Sequence, residues 1–180
     1  MKKKDKFKLA AYGAIVYAIL SIPIFVVAIL QLFYETSLFL KYFYVVLVAV
    51  TFIASVNTTL GYFIISKDHK LKYLRILAVI SIVFSSIAMV LLILKSYLDT
   101  PNLVYTLLTI LSGIISIGFG IILKKMKKNI LKFSDTVGLW YLIQGIALCT
   151  IIGYILVPFI SVVVSILEAK MFFNKARNTK

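Results

Sequence analysis

Acidic residues are scarce in this chain. Six stand among 180 positions (Asp5, Glu35, Asp68, Asp99, Asp135 and Glu168), together with one histidine, one cysteine and three prolines. Acid–base or metal-assisted catalysis needs several titratable or ligating groups at one place, and here there is little to gather. HExxH, CxxC, P-loop and GxSxG patterns are all missing. Asp68 and His69 are adjacent, so they diverge on any helix and make a poor metal pair. The expectation is a non-enzyme with no catalytic residue, no cofactor and no metal site. Cys149, alone inside an apolar run, has no intrachain disulfide partner and reads as a small packing residue.

Stretches of mixed composition are missing as well. Hydrophobic residues make up 62% and charged residues 14%, with a mean hydropathy of +1.06, whereas soluble domains hold about half apolar residues. No segment is left to build a water-soluble domain. The chain therefore reads as one integral membrane domain over 1–180, an all-α bundle of transmembrane helices.

What is plentiful is positive charge, 20 Lys and Arg giving a formal net charge of +14. Nucleic acid is not the expected partner. The basic residues sit in short clusters between apolar runs and form no patch interleaved with stacking aromatics. The opening MKKKDKFK and the apolar stretch after it begin like a secretory signal. The uncharged stretch Leu9–Tyr34 has 26 residues, beyond the roughly 7–15 of a signal core, so it is read as a retained first span.

Uncharged length predicts spans near 9–33, 42–66, 76–94 and 103–123. Thr100 and Pro101 suit the cap and first position of the fourth, and Asp135 the cap of a fifth. The longest uncharged run, Val137–Leu167, has 31 residues. As one helix it measures about 46 Å, against a hydrocarbon core of about 30 Å. Within it, IIGYILVP (151–158) offers Gly153 to end one helix and Pro158 to begin another, predicting two short arms near 137–153 and 157–173. The alternative is five spans, the last long and kinked at Pro158.

Lysine and arginine distribution favours six spans. Five lie before the first span, four in 67–75, five in 124–132 and four in the tail, against Lys41 and Lys95 alone in the other two loops. Two crossings after residue 136 put 18 on one side and 2 on the other; one crossing makes it 14 and 6. By the positive-inside rule, both termini of a multi-pass cell-membrane protein are then cytoplasmic. GYFIISKDHKLKYLR (61–75) and GFGIILKKMKKNILK (118–132) also share six identities in fifteen positions, a weak internal repeat.

Polar residues at membrane depth are the default functional candidates. Asn57, Gln144 and Glu168 form the candidate intramembrane site. Glu168 falls near the inner end of the last arm, within predicted reach of Lys170 or a lysine of 124–132. Thr51, Ser55 and Thr59, four residues apart, share a face that lines a polar path or an interhelical seam. Ser112, Ser116 and Gly120, and Gly145, Cys149 and Gly153, have the spacing of close-packing ridges, within one chain or between copies in a homo-oligomer. In KKMKKNILKF (124–133), Met126, Ile130 and Phe133 against Lys125, Lys128 and Lys132 predict a short interfacial helix. Lys124, Lys125, Lys127 and Lys128 are the expected contacts for anionic headgroups of membrane lipids.

Residues 131–173 carry Gly138 after a short polar stretch, glycines 145 and 153 along an apolar helix, and a final arm ending in Phe172 and Phe173. In these features the segment resembles the C-terminal part of small uncharacterised polytopic membrane proteins found mainly in archaea. The resemblance covers about a quarter of the chain and implies a membrane class without an established activity, so it transfers no site residue. Two functions follow as expectations: a non-catalytic protein acting by packing against membrane partners or lipids, and a small solute or ion carrier or channel using the polar residues within its spans.

Overall fold

A computed structural model describes residues 2–33, 37–95, 102–126, 130–150 and 153–179. Within them the chain forms six α-helices: α1 (Lys3–Phe33), α2 (Leu38–Asp68), α3 (Lys72–Lys95), α4 (Asn102–Lys125), α5 (Ser134–Leu148) and α6 (Gly153–Arg177). There is no strand among the described residues. Five of the helices, α1 to α4 and α6, are long and apolar enough to cross a membrane. The fifth, α5, has 15 residues, about 22 Å at the usual helical rise.

The helices overrun the uncharged stretches. α1 begins at Lys3, with Asp5 in its first turn, where a carboxylate suits the positive end of the helix dipole. Phe7, inside the basic segment, is fully buried and ties that turn to the bundle. Ser37 caps α2 by accepting from the Leu40 amide at 3.4 Å. Thr100 and Pro101 lie outside the described residues.

Each helix packs on the next and α6 returns to α1, so the ring closes; the α3–α4 join is the sparsest. Neighbours run antiparallel. Tyr12 meets Phe173 edge-on, and the Lys3 ammonium pairs with the Asp68 carboxylate at 2.6 Å. Lys175 donates to the Ile130 carbonyl at 3.0 Å and approaches His69 Nε2 at 3.3 Å. The start of α1, the α2–α3 turn, the α4–α5 connection and the end of α6 therefore meet at one end of the bundle, called the basic end below.

The core is unevenly distributed along the bundle. Phe7, Tyr62, Ile65, Leu74, Leu123, Leu131, Val137 and Phe172 belong to one cluster toward the basic end, drawn from every helix or its adjoining turn. A second cluster, Val27, Tyr44, Leu47 and Val48 with Met89 and Leu92, joins only α1, α2 and α3 toward the other end. Outward-facing Leu9, Tyr12, Val16, Ile19, Ile22, Val26 and Ile29 recur every three or four residues along α1, the apolar stripe expected of a helix facing lipid. Leu74 and Leu131, equivalent in the weak repeat, are both core residues.

Three expectations are corrected. Of the two readings of 137–173, the alternative of one kinked helix is not what the structure shows, because α5 stops at Leu148 and α6 starts at Gly153. Glycine and proline nevertheless play other parts than predicted: Gly153 opens α6 instead of ending α5, and Pro158 lies inside α6. There Pro158, sixth in the helix, lacks a donor N–H, so α6 gives up one ladder bond in its second turn. Ile151 and Ile152 of the predicted turn lie outside the described residues. Asp135 is not the α5 cap; Phe133 holds that position in the left-handed region, φ 73°, with no side-chain cap bond. No interfacial helix forms over the described part of 124–133. Residues 130–133 are turn, and Met126 and Leu131 are drawn into the core.

Candidate functional site

On α6 the buried positions are Ser161, Val164, Ser165, Glu168, Ala169, Met171, Phe172 and Ala176, the three-and-four spacing of one helix face. This rotation points Glu168 into the ring. It is 4% exposed and nine residues from the end of α6, roughly 13 Å along the helix.

Two phenols, from opposite sides of the ring, hold the carboxyl. Tyr62 of α2 donates to Glu168 Oε1 at 2.7 Å, and Tyr141 of α5 donates to the same oxygen at 2.5 Å. Tyr17 of α1 lies within electrostatic reach of it. The rings are themselves packed: Tyr62 against Phe172 at 5.0 Å and Phe119 at 5.3 Å, and Phe119 stacked on Tyr141 at 5.5 Å. One carboxyl oxygen thus joins α2, α5 and α6 in a layer of aromatic rings.

The predicted lysine partners do not reach it. The Lys170 ammonium lies over the Phe133 ring, 4.7 Å from its centroid, a cation–π contact that faces away from the core. Among the described residues the only ion pair is Lys3–Asp68. Lys124 and Lys125 are exposed at the basic end, while Lys127 and Lys128 lie outside the described residues. The reason is depth: a carboxyl two and a half turns inside the helix is beyond the loop lysines.

Of the three polar candidates, two lie along one helix seam without touching each other. Gln144 Nε2 donates to Ser161 Oγ at 2.7 Å, two helical turns from Glu168 on the same α5–α6 seam. Asn57 lies elsewhere, its Cβ against the α1 backbone at Gly13. Among the described residues the Thr51, Ser55 and Thr59 face makes no interhelical bond: Thr59 donates to the Ser55 carbonyl of its own helix, and buried Thr51 Oγ1 has no partner. It is Thr58 that reaches across, 3.4 Å from the Ala10 carbonyl while also bonding Ala54.

The close-packing ridges are partly as expected. Gly113 and Gly120 of α4 face Gly145 and Gly138 of α5, with Cys149 beyond them. A methyl added at Gly120 would stand 2.8 Å from the Gly138 carbonyl, and one at Gly113 would stand 2.7 Å from Cys149 Sγ. Ser112 instead bonds the Leu108 carbonyl of its own helix. Gly113 was legible as half of a seven-residue glycine spacing matched by Gly138 and Gly145.

Tyr62 and Tyr141 were missed by sequence reasoning, since the chain holds 11 tyrosines and the residue is ordinary at membrane interfaces. The usable signal was level: Tyr62 stands five residues before Lys67 and Tyr141 six after Asp135, similar distances from the charged ends of their apolar runs, and Tyr141 shares a face with Gln144 three residues on. At the basic end, burial and the neighbouring Lys175 charge hold the His69 imidazole below its ordinary pKa. Among the described residues no three of His, Cys, Asp and Glu gather as metal ligands. Compared with protein-family models, curated proteins and solved structures, the chain matches none.

Proposed function

We propose that the protein is a six-span membrane protein with both termini in the cytoplasm, and that it works as a small proton-linked carrier through Glu168 without covalent chemistry. The observation behind this reading is the Glu168 carboxyl, buried, held by two phenols and given no cationic partner among the described residues. A carboxyl kept only for packing is expensive, since an ionised group away from water needs a partner charge. Two donors on Oε1 serve the ionised and the protonated carboxyl alike, leaving Oε2 as the place for a proton. Six crossings require α5 to span at about 22 Å, which local thinning of the bilayer accommodates.

A second reading keeps the protein as a packing partner for membrane proteins or lipids. It is favoured by the Gly113–Gly145 and Gly120–Gly138 contacts, whose close fit needs no ligand, and by exposed Lys124 and Lys125 beside the headgroup region. Flux measurements on purified protein in lipid vesicles separate the two. Acid-driven solute movement abolished by Glu168→Gln, at unchanged protein level, supports the carrier. Flux that ignores Glu168, or no flux for any solute of a broad panel, leaves the packing reading.

A further inference from the structure

The polar residues around Glu168 are arranged on one side of it. Along the buried face of α6, Ser165 and Ser161 follow Glu168 away from the basic end, 3% and 4% exposed. Gln144 of α5 joins the same track through its bond to Ser161, and Tyr141, three residues before Gln144, ends it on the carboxyl. In the opposite direction the next turn of α6 brings Met171 and Phe172, with Phe7, Ile65, Leu123 and Val137 buried around them. Two hydroxyls lie beyond that layer, Ser66, spent on the Phe63 carbonyl at 2.6 Å, and Ser134, without a partner among the described residues. The second apolar cluster, at the far end, joins only α1 to α3 and adds no such layer across α5 and α6.

We infer that Glu168 exchanges its proton with the end of the bundle away from the lysines, along Ser161, Gln144 and Ser165, and is sealed from the basic end by the apolar layer of Met171 and Phe172 with Phe7, Ile65, Leu123 and Val137. The inference rests on reading Glu168 as the protonating centre of a carrier and adds the side from which it loads. In loading, an O–H bond of hydronium breaks and an O–H bond forms on the carboxylate; hydroxyl, amide and entering water pass the proton by hydrogen bonds. The groups facing the carboxyl are Tyr17 of α1, Tyr62 of α2 and Tyr141 of α5, and none carries a positive charge. A desolvated apolar layer offers a proton no such chain of partners.

The test uses Trp140, the single tryptophan, beside Tyr141. Full-length protein is placed in vesicles with a clamped lumen, sorted by capture through a tag after Lys180 into those with the basic end outward and those with it inward. Acid jumps are then applied outside. The expected result is a Trp140 fluorescence change at least tenfold faster when the jump reaches the end away from the lysines. Glu168→Gln should remove the change, Ser161→Ala with Gln144→Leu should slow it about tenfold, and Phe172→Ala should open the basic end. The infrared band of the protonated carboxyl, followed in the same samples, shows that Glu168 is intact in the slowed variant. Equal rates from the two ends, a response surviving Glu168→Gln, or no response from either end overturns the inference. Sided loading without any flux sinks the carrier and leaves the sidedness; flux with loading from the basic end does the reverse.

Discussion

Glu168 and Tyr62 stand 106 positions apart in the chain, and the Tyr62 hydroxyl donates to the Glu168 carboxyl at 2.7 Å. Removing that hydroxyl with Tyr62→Phe, or its counterpart with Tyr141→Phe, is expected to destabilise the bundle by about 1–2 kcal/mol each, the range for a buried hydrogen bond to a carboxyl. Glu168→Gln combined with either should cost less than the two effects added, because the groups share one network. Reversible unfolding in detergent micelles measures the five variants against the parent. Single variants as stable as the parent would mean the phenols hold nothing together.

The glycine seam makes a contrast prediction. Gly145→Ala sets a methyl 2.5 Å from the Ile117 side chain and 2.7 Å from the Gly113 carbonyl, and Gly120→Ala one 2.8 Å from the Gly138 carbonyl. Each should cost about 1–3 kcal/mol, since backbone cannot step aside. Gly118→Ala meets only the tip of Leu77 at 3.1 Å, a side chain that can rotate, and should be near neutral. Thermal unfolding that ranks Gly118→Ala with the other two would remove the seam as the reason α4 and α5 approach closely.

His69 links stability to pH. Burial first, and the Lys175 charge second, lower its pKa in the folded protein, so the folded state binds its proton less readily than the unfolded chain. Stability is then unaffected above the ordinary imidazole range near 6.5 and falls as pH drops through it, because the unfolded state takes up the proton first. For so exposed a group the loss should stay below about 1 kcal/mol. Protection factors at residues 130–133, where Lys175 holds the Ile130 carbonyl, corrected for the intrinsic slowing of amide exchange with falling pH, should drop at low pH in the parent and much less in His69→Asn.

Lys124 and Lys125, with Lys127 and Lys128, are expected to favour anionic lipid by about 1 kcal/mol for each lysine near the headgroups. Charge alone makes this attraction weaken with salt. Vesicle lipid-partitioning measurements that are insensitive to salt, or that collapse on one Lys→Gln change, would indicate a shaped headgroup pocket instead.

For membrane sidedness, reporters active on one side only are fused after Lys180, near Lys128 and within 95–102. The first two should agree and the third should differ, because the start of α1, the α4–α5 connection and the end of α6 meet at one end of the bundle. Disagreement between the reporters after Lys180 and near Lys128 would leave α5 and α6 on opposite faces and remove the six-span reading.

Sequence alone determined the all-helical class and the approximate helices, because apolar length and helical period are local properties of the chain; it placed Glu168 nearer the end of its helix than the nine residues the structure shows. It also predicted a break in the long uncharged run, placed at 151–158, since 31 residues exceed the membrane core, whereas α5 already stops at Leu148. Tertiary structure alone decided what Glu168 touches. Helix rotation and register are set by backbone approach at Gly61, Gly120 and Gly138 and by ring packing of Tyr62, Phe119 and Phe172. Those contacts join residues from α2, α4, α5 and α6. Charge attraction suggested lysine as the partner of an isolated carboxyl, but lysine heads stay near water while the carboxyl lies more than two turns deep. That difference in depth leaves the phenols of α2 and α5 as the donors that arrive.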